Sequence, residues 1–235
     1  MMGGILLGIN IDHAATVRQA RGTAYPDIPG IAKEALAGGG DFITVHLRED
    51  RRHIQDADLP PLVALDCNLN LEIAAIGEMA KTALALRPRC VCLVPERRAE
   101  LTTEGGLDVC AAKENLRAFC RPLVAAGIEV SLFVDADIAQ IEAAAETGAA
   151  AVELHTGNFA ENGDIAPLQK AAQCAATLGL KVNAGHGLHL HNAAEVAALP
   201  QVSEINIGHA IVARALFIGI RAAVAEMAAV IKKAR

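Results

Sequence analysis

The chain predicts a single (β/α)8 barrel spanning residues 1–235, and three observations carry that expectation. Short apolar runs alternate with stretches of helical periodicity, several of the runs end in an ionisable or amide group, and no Pro/Ser-rich linker divides them. Such runs read as strands buried on both faces, as in a parallel sheet covered by helices. A polar group at the end of such a strand lies where α/β folds keep their chemistry. Of the eight histidines, His13, His46, His155, His186 and His209 occupy such ends. A doubly wound open sheet is the alternative, although it usually has fewer strands.

Strands are expected at 5–12, 42–47, 68–74, 89–95, 129–135, 150–155, 181–185 and 204–208. Helices are expected at 30–38, 75–87, 112–126, 137–147, 164–178, 193–198 and 210–232. In DIAQIEAAAETG, Asp137 caps the start of an amphipathic run and Gly148 ends it. In NLRAFCRPLVAAG the apolar positions recur at three and four and Gly127 closes the helix, with Pro122 expected to weaken or kink it. Residues 14–29, 48–67 and 96–112 are read as connections longer than the usual ~2–6 residues. Their Arg, Thr and Gly content suits either a cover over an anionic ligand or a solvated loop.

Hydrophobic residues make up 53% of the chain, yet aromatics are 3% and tryptophan is absent. The apolar content is therefore Ala, Leu, Ile and Val, the usual filling of parallel sheets and their helices. Charges break the longest apolar runs well short of the ~20 residues that span a bilayer. The start, MMGGILLGINIDH, has no basic region before its strand-length apolar run, so no signal peptide is expected. Cys67, Cys90, Cys92, Cys110, Cys120 and Cys174 form no CxxC pair and read as free thiols of a cytoplasmic protein. A net charge of −6 argues against nucleic acid as a partner and leaves small anionic substrates open.

The candidate chemistry lies at the strand ends. Asn10 and Asp12 share one side of the first strand by alternation, beside His13; an N-cap role for Asp12 is the structural alternative. His46 and Arg48 share a face at the end of the second, and arginine suits bidentate phosphate or carboxylate binding. Arg51 and Arg52 read as partners of nearby acids in a charged loop. Glu72 closes NLNLE, a strand with no other charge, so its pKa should be raised toward neutrality; Glu153 in AAVELH has a similar setting. AGHGLHLHN places His186 between glycines and adds His189 and His191. Their spacing invites a zinc reading, but a catalytic zinc normally draws ligands from several strands, and His189 and His191 are read as surface residues. Finally, Gly208 and His209 open a helix whose free N–H groups form an anion site.

These segments also carry a family resemblance. GINIDHAATVRQARGTAYPD, ITVHLREDRRHIQD, NLE, CLVPE, TTEGGLDV, VSLFVDAD, VNAGHGL and NIGHAIV are similar, in register from about residue 5 onward, to the pyridoxine 5'-phosphate synthase family. The resemblance implies a TIM barrel with extra helices in the loops, assembled as a homo-octamer in the cytoplasm. It implies condensation of 3-amino-2-oxopropyl phosphate with 1-deoxy-D-xylulose 5-phosphate to pyridoxine 5'-phosphate, phosphate and water, by metal-free acid–base catalysis without a cofactor. No nucleic acid or membrane partner is implied. His46 and Glu72 would be proton acceptors and His186 a proton donor. Asn10, Gly187, Gly208 and His209 would hold the aminoketone phosphate. Asp12, His13, Arg21, Arg48, His53 and Thr102 would hold the deoxyxylulose phosphate, with Glu153 in a supporting role. The chain departs from the pattern in slightly shorter stretches between His53 and Glu72 and after His155, and in the added His189.

Overall fold

A computed structural model describes residues 4–96 and 105–235. Eight parallel strands close into a barrel in sequence order: β1 (Leu6–Asn10), β2 (Phe42–His46), β3 (Asn70–Ile73), β4 (Cys90–Leu93), β5 (Glu129–Val134), β6 (Ala151–His155), β7 (Lys181–Gly185) and β8 (Val202–Ile207). β1 pairs with both β2 and β8, which closes the ring and leaves no sheet edge.

Alternation along each strand sorts the side chains. One set, including Leu7, Ile9, Ile43, Val45, Leu71, Val91, Leu132, Val152 and Ile205, packs in the main apolar core with the surrounding helices. The other set faces inward and is largely polar. Thr44, Asn70, Cys92, Ser131, Glu153, Asn183 and Asn206 are all buried. Thr44 Oγ1 donates to Asn206 Oδ1 across 2.8 Å, and Asn206 Nδ2 donates to Glu153 Oε2 across 2.7 Å. The second bond joins β8 to β6, strands that are not neighbours, so it crosses the barrel interior. Gly8 makes this crowding possible, because a Cβ there would fall 2.3 Å from both Asn206 Oδ1 and the Phe42 ring. At the amino ends of the strands Arg89 bonds both carboxylate oxygens of Glu204 at 3.0 and 3.1 Å and lies over the Phe42 ring. Lys181 joins the same cluster through Glu204 and Glu129.

The helices depart from expectation in places that matter for the site. Residues 14–29 are not an irregular connection: α1 (Asp12–Arg21) begins immediately after β1, and α2 (Ile28–Ala37) follows, capped by Asp27. Asp12 is therefore the first helical residue rather than its cap, and its acidic group sits in the positive first turn. The 48–67 connection contains a short helix, α3 (Leu59–Ala64), whose start is favoured by proline.

α4 (Gly77–Leu86) follows β3. α5 (Val109–Ala125) runs through Pro122, which stands in its last turn. α6 (Ile138–Ala145) is capped by Asp137, whose side chain accepts from the Ala139 and Gln140 amides. α7 (Gly157–Asn162), α8 (Ala166–Thr177) and α9 (Ala193–Ala197) complete the ring as far as β8. The expected helix 210–232 is two helices, α10 (His209–Ile218) and α11 (Ile220–Lys233), broken at Gly219 with φ 81° and ψ 154°. No helix among the described residues is long and apolar enough to cross a membrane.

Candidate active site

The carboxyl ends of the strands bring the predicted polar residues into one mouth, arranged as two clusters. The first is built on β1 to β4. His46 ends β2 and is paired in register with Glu72 on β3. Its Nδ1 lies 3.9 Å from Glu72 Oε2, and its Nε2 lies 2.9 Å from Glu96 Oε1. Asp12 accepts the His46 backbone N–H at 2.9 Å with one oxygen and the Asn10 amide at 2.9 Å with the other. The His53 ring stands edge-on to His46, 6.1 Å between centroids. Arg48 is buried beside Asp50 at the edge of this cluster.

The electrostatics of the carboxylates diverge. Burial pushes the Glu72 acid well above its ordinary range, and repulsion from Glu153 and Asp12 adds to the shift. Burial also works against ionised Glu96, but the His46 ring and the Glu49 amide outweigh it and hold Glu96 below its usual value. Glu96 therefore favours its ionised form, which is matched by the His46 tautomer that carries its proton on Nε2. His46 Nδ1 faces the Glu72 carboxyl, whose neutral form burial favours. The two acids beside this imidazole are pushed in opposite directions, the pattern that assigns acid and base roles.

Asp12, His46 and Glu72 can bring one ligand atom each within 4.8 Å of one another. Both Asp12 oxygens accept hydrogen bonds from protein groups, and burial favours the neutral form of the Glu72 carboxyl.

The second cluster is built on β5 to β7. His186 follows β7 at φ 79°, a left-handed backbone for a residue with a side chain, and Gly187 follows at φ 74°. Thr156 Oγ1 donates to the carbonyls of both Gly185 and His186, which fixes the turn from below. The His186 ring packs edge-on against His155, 4.9 Å between centroids, and His155 Nδ1 contacts Asp135 Oδ1 at 2.8 Å. Burial lowers the His186 pKa, and His155 lowers it further. Between the clusters, His13 and His209 meet edge-on at 4.9 Å beside Asn10 and Gly208. Burial lowers His13 and then His53 by the same mechanism, favouring neutral rings.

Not every expected residue joins. Arg21 is exposed at the far end of α1, about 13 Å along the axis from Asp12 at 1.5 Å per residue. Arg18, which was not singled out, is the buried arginine of that helix; it grips both Asp58 oxygens at 2.6 and 2.7 Å and the His53 carbonyl at 3.1 Å. Arg51 pairs with Asp56 and Glu78, and Arg52 with Asp50, as a charged loop requires. Glu153 accepts from Asn206, and Lys181 goes to Glu204. His189 and His191 are exposed and paired with each other. Thr102 lies outside the described residues. Glu96 and Asp135 are additions; each lies just beyond a strand end, in LVPE and FVDAD.

A closed (β/α)8 barrel with a buried acid–base cluster at its strand carboxyl ends has the architecture of an enzyme. Solved structures agree on the fold. Thiamine phosphate pyrophosphorylase from Pyrococcus furiosus superposes with a TM-score of 0.63 at 17% identity, covering 98% of this chain and 96% of that one. Phosphoribosyl anthranilate isomerase from Thermus thermophilus gives 0.65 at 16%, covering 98% and 100%. The family model described as pyridoxal phosphate biosynthesis protein PdxJ matches residues 7–233. The pyridoxine 5'-phosphate synthase of Thioalkalivibrio sulfidiphilus (strain HL-EbGR7) is 54% identical over 237 residues, covering 97% of this chain and 96% of that protein. The chain belongs to the PdxJ family of pyridoxal phosphate biosynthesis proteins, and it is an enzyme.

Proposed function

We propose that this enzyme is a pyridoxine 5'-phosphate synthase that joins 3-amino-2-oxopropyl phosphate to 1-deoxy-D-xylulose 5-phosphate, releasing phosphate and water. The observation that carries the reading is the His46 ring held between Glu72, which burial drives toward its neutral form, and Glu96, which the ring holds toward its ionised form. The reaction needs an amine to add to a ketone, one water to leave at that step and a second before the ring aromatises, carbon-bound protons to be removed, phosphate to depart and a ring to close. Each step moves a proton, and positioned groups titrating near neutrality contribute ~10²–10⁴-fold apiece.

In this mechanism Glu72 protonates the carbinolamine oxygen and recovers its proton as the adduct rearranges. His46 takes the carbon-bound protons through Nδ1, since Nε2–H is committed to Glu96. His186 delivers protons to departing oxygens from the opposite side of the mouth. The aminoketone phosphate is held by Asn10, Gly187, Gly208 and His209, where the start of α10 turns free amides and a positive dipole end toward an anion. The deoxyxylulose phosphate is held by Asp12, His13, Arg21, Arg48, His53 and Thr102. Holding both reactants makes the first addition effectively unimolecular. The barrel works as one unit over residues 1–235, in the cytoplasm and without a metal.

Self-association to a homo-octamer belongs to the same proposal. Leu216 and Phe217, at the end of α10, are 77% and 83% exposed, an apolar pair that burial against a second copy would cover.

The test is an assay of the purified protein with both phosphorylated substrates in excess chelator, read by mass and absorbance. Pyridoxine 5'-phosphate with stoichiometric phosphate is the expected result, and Glu72→Gln should abolish most of it. No product with both substrates bound would discard the synthase reading, and activity that returned only with added metal would discard the metal-free mechanism.

A further inference from the structure

Two residues at the second cluster have no part in the mechanism above, and they are built with more care than bystanders need. His155 ends β6 opposite Gly185 in the β6–β7 register. Its Nδ1 is 2.8 Å from Asp135 Oδ1, its ring leans on Phe133 at 5.2 Å, and it meets the His186 ring in a T-shaped contact, 4.9 Å between centroids. The backbone has been cleared for this ring: a Cβ at Gly157 would fall 2.6 Å from His155 Nε2. Asp135 is tethered in turn. Its carboxylate accepts the Gly106 amide, and the Leu107 amide bonds the Phe133 carbonyl at 2.8 Å. A Cβ at Gly106 would fall 2.2 Å from the Asp135 amide nitrogen, so that segment lies directly on the end of β5.

We propose that Asp135 and His155 form a positioning pair for His186, with Asp135 fixing the His155 tautomer and the His155 ring holding the His186 imidazole at its working angle. The proposal rests on the reading of His186 as a proton donor. It follows from what His186 lacks. Its backbone sits in a left-handed conformation that persists only where surroundings over-determine it. Thr156 secures the carbonyls of the turn, but not the direction of the ring. The His155 face supplies that direction.

The bond to His155 holds the Asp135 carboxyl below its usual range, so the pair carries a fixed anion that orients the Nδ1 proton of His155. Among the titratable groups facing His186, His155 on β6 disfavours its protonated form and Glu161 on α7 favours it.

The experiment compares His155→Gln and Asp135→Asn with the parent enzyme, using steady-state kinetics and NMR titration of the His186 ring without substrate. A misplaced acid should cost on the order of a hundredfold in kcat, with both KM values within about threefold, because the pair touches no phosphate in the proposed complex. The His186 titration should move upward in His155→Gln, since a neighbour that opposes its charge is gone. Adding His155→Gln to His186→Gln should cost nothing further. An unmoved His186 resonance with losses that multiply across the double variant would overturn the proposal. Normal turnover in His186→Gln would instead remove the proton-donor reading, while the titration would still report whether the pair governs the ring. Asp135→Asn keeps the question decidable if His155→Gln fails to fold.

Discussion

A single carboxyl group inside this barrel connects stability to the chemistry above it. Glu153 is 4% exposed, accepts from Asn206 and is pushed by burial, with repulsion from Glu204, from an ordinary 4.5 to about 7. The folded state therefore binds this proton more tightly than the unfolded chain does. Stability attributable to the group is complete below about pH 4.5 and is lost as pH rises toward 7, in total on the order of 3 kcal/mol.

Glu153→Gln removes the titration while keeping an oxygen for Asn206. Its urea midpoint should exceed that of the parent protein at pH 8 and match it near pH 5. A difference that ignores pH would show that Glu153 is not protonated in the fold. Glu72 shares this logic, and the raised acid was legible in the sequence because a lone carboxylate closing an apolar strand has little else to neutralise it. Glu96 was not legible as its opposite. It stands past Pro95, beyond β4, and the histidine that keeps it ionised is distant in the chain. Asp135 left a fainter trace: it follows VSLFV at a strand end much as Glu72 follows NLNL, but only the fold brings His155 to it.

Elements were legible wherever period and caps agreed. Asp137 caps α6 as its position predicts, and the strands lie close to their expected spans because each carries an apolar outward row that the helices bury. The first helix escaped because its face is drawn from Ala, Thr, Val, Gln and Arg, a weak apolar stripe; what binds it is the buried Arg18–Asp58 pair rather than a row of leucines. The break between α10 and α11 escaped for a different reason. FIGIR reads as a periodic helix carrying one tolerated glycine, yet Gly219 adopts a φ/ψ combination essentially closed to other residues. Space is not the obstacle, as a Cβ there would meet nothing within 4 Å. Gly219→Ala should consequently lower stability by roughly 1–3 kcal/mol through backbone strain alone, measured by urea unfolding with turnover per folded molecule unchanged. A neutral or stabilising substitution would mean that the two helices can merge into the continuous one that their pattern suggests.

At the scale of the whole molecule, the barrel is polar where a packed interior is usually branched and aliphatic, and both ends are organised around charge. Below, Arg89, Lys181, Glu129 and Glu204 close the amino ends of the strands; above, the two histidine clusters line the mouth. Apolar burial is therefore concentrated outside the sheet, between strands and helices, which is why so alanine-rich a chain still builds an extended core. That arrangement leaves the outer helix surface as the remaining place for apolar exposure, and the end of α10 shows it at Leu216 and Phe217.

If this pair is covered by a second copy, as the proposed octamer requires, then Phe217→Asp places a carboxylate in a desolvated contact, which is costly unless it is paired. Sedimentation should find the parent protein at eight copies of the 24.4-kDa chain and the variant at a smaller species, with an unchanged circular dichroism spectrum. Turnover measured at the dissociated concentration then separates two cases. Lost activity would mean that neighbouring copies complete the mouth, where the exposed Arg21 is the nearest unanswered expectation. Retained activity would mean that each barrel works alone. A parent protein that sediments as a single chain, or a variant that keeps the parent mass, would remove α10 from the assembly.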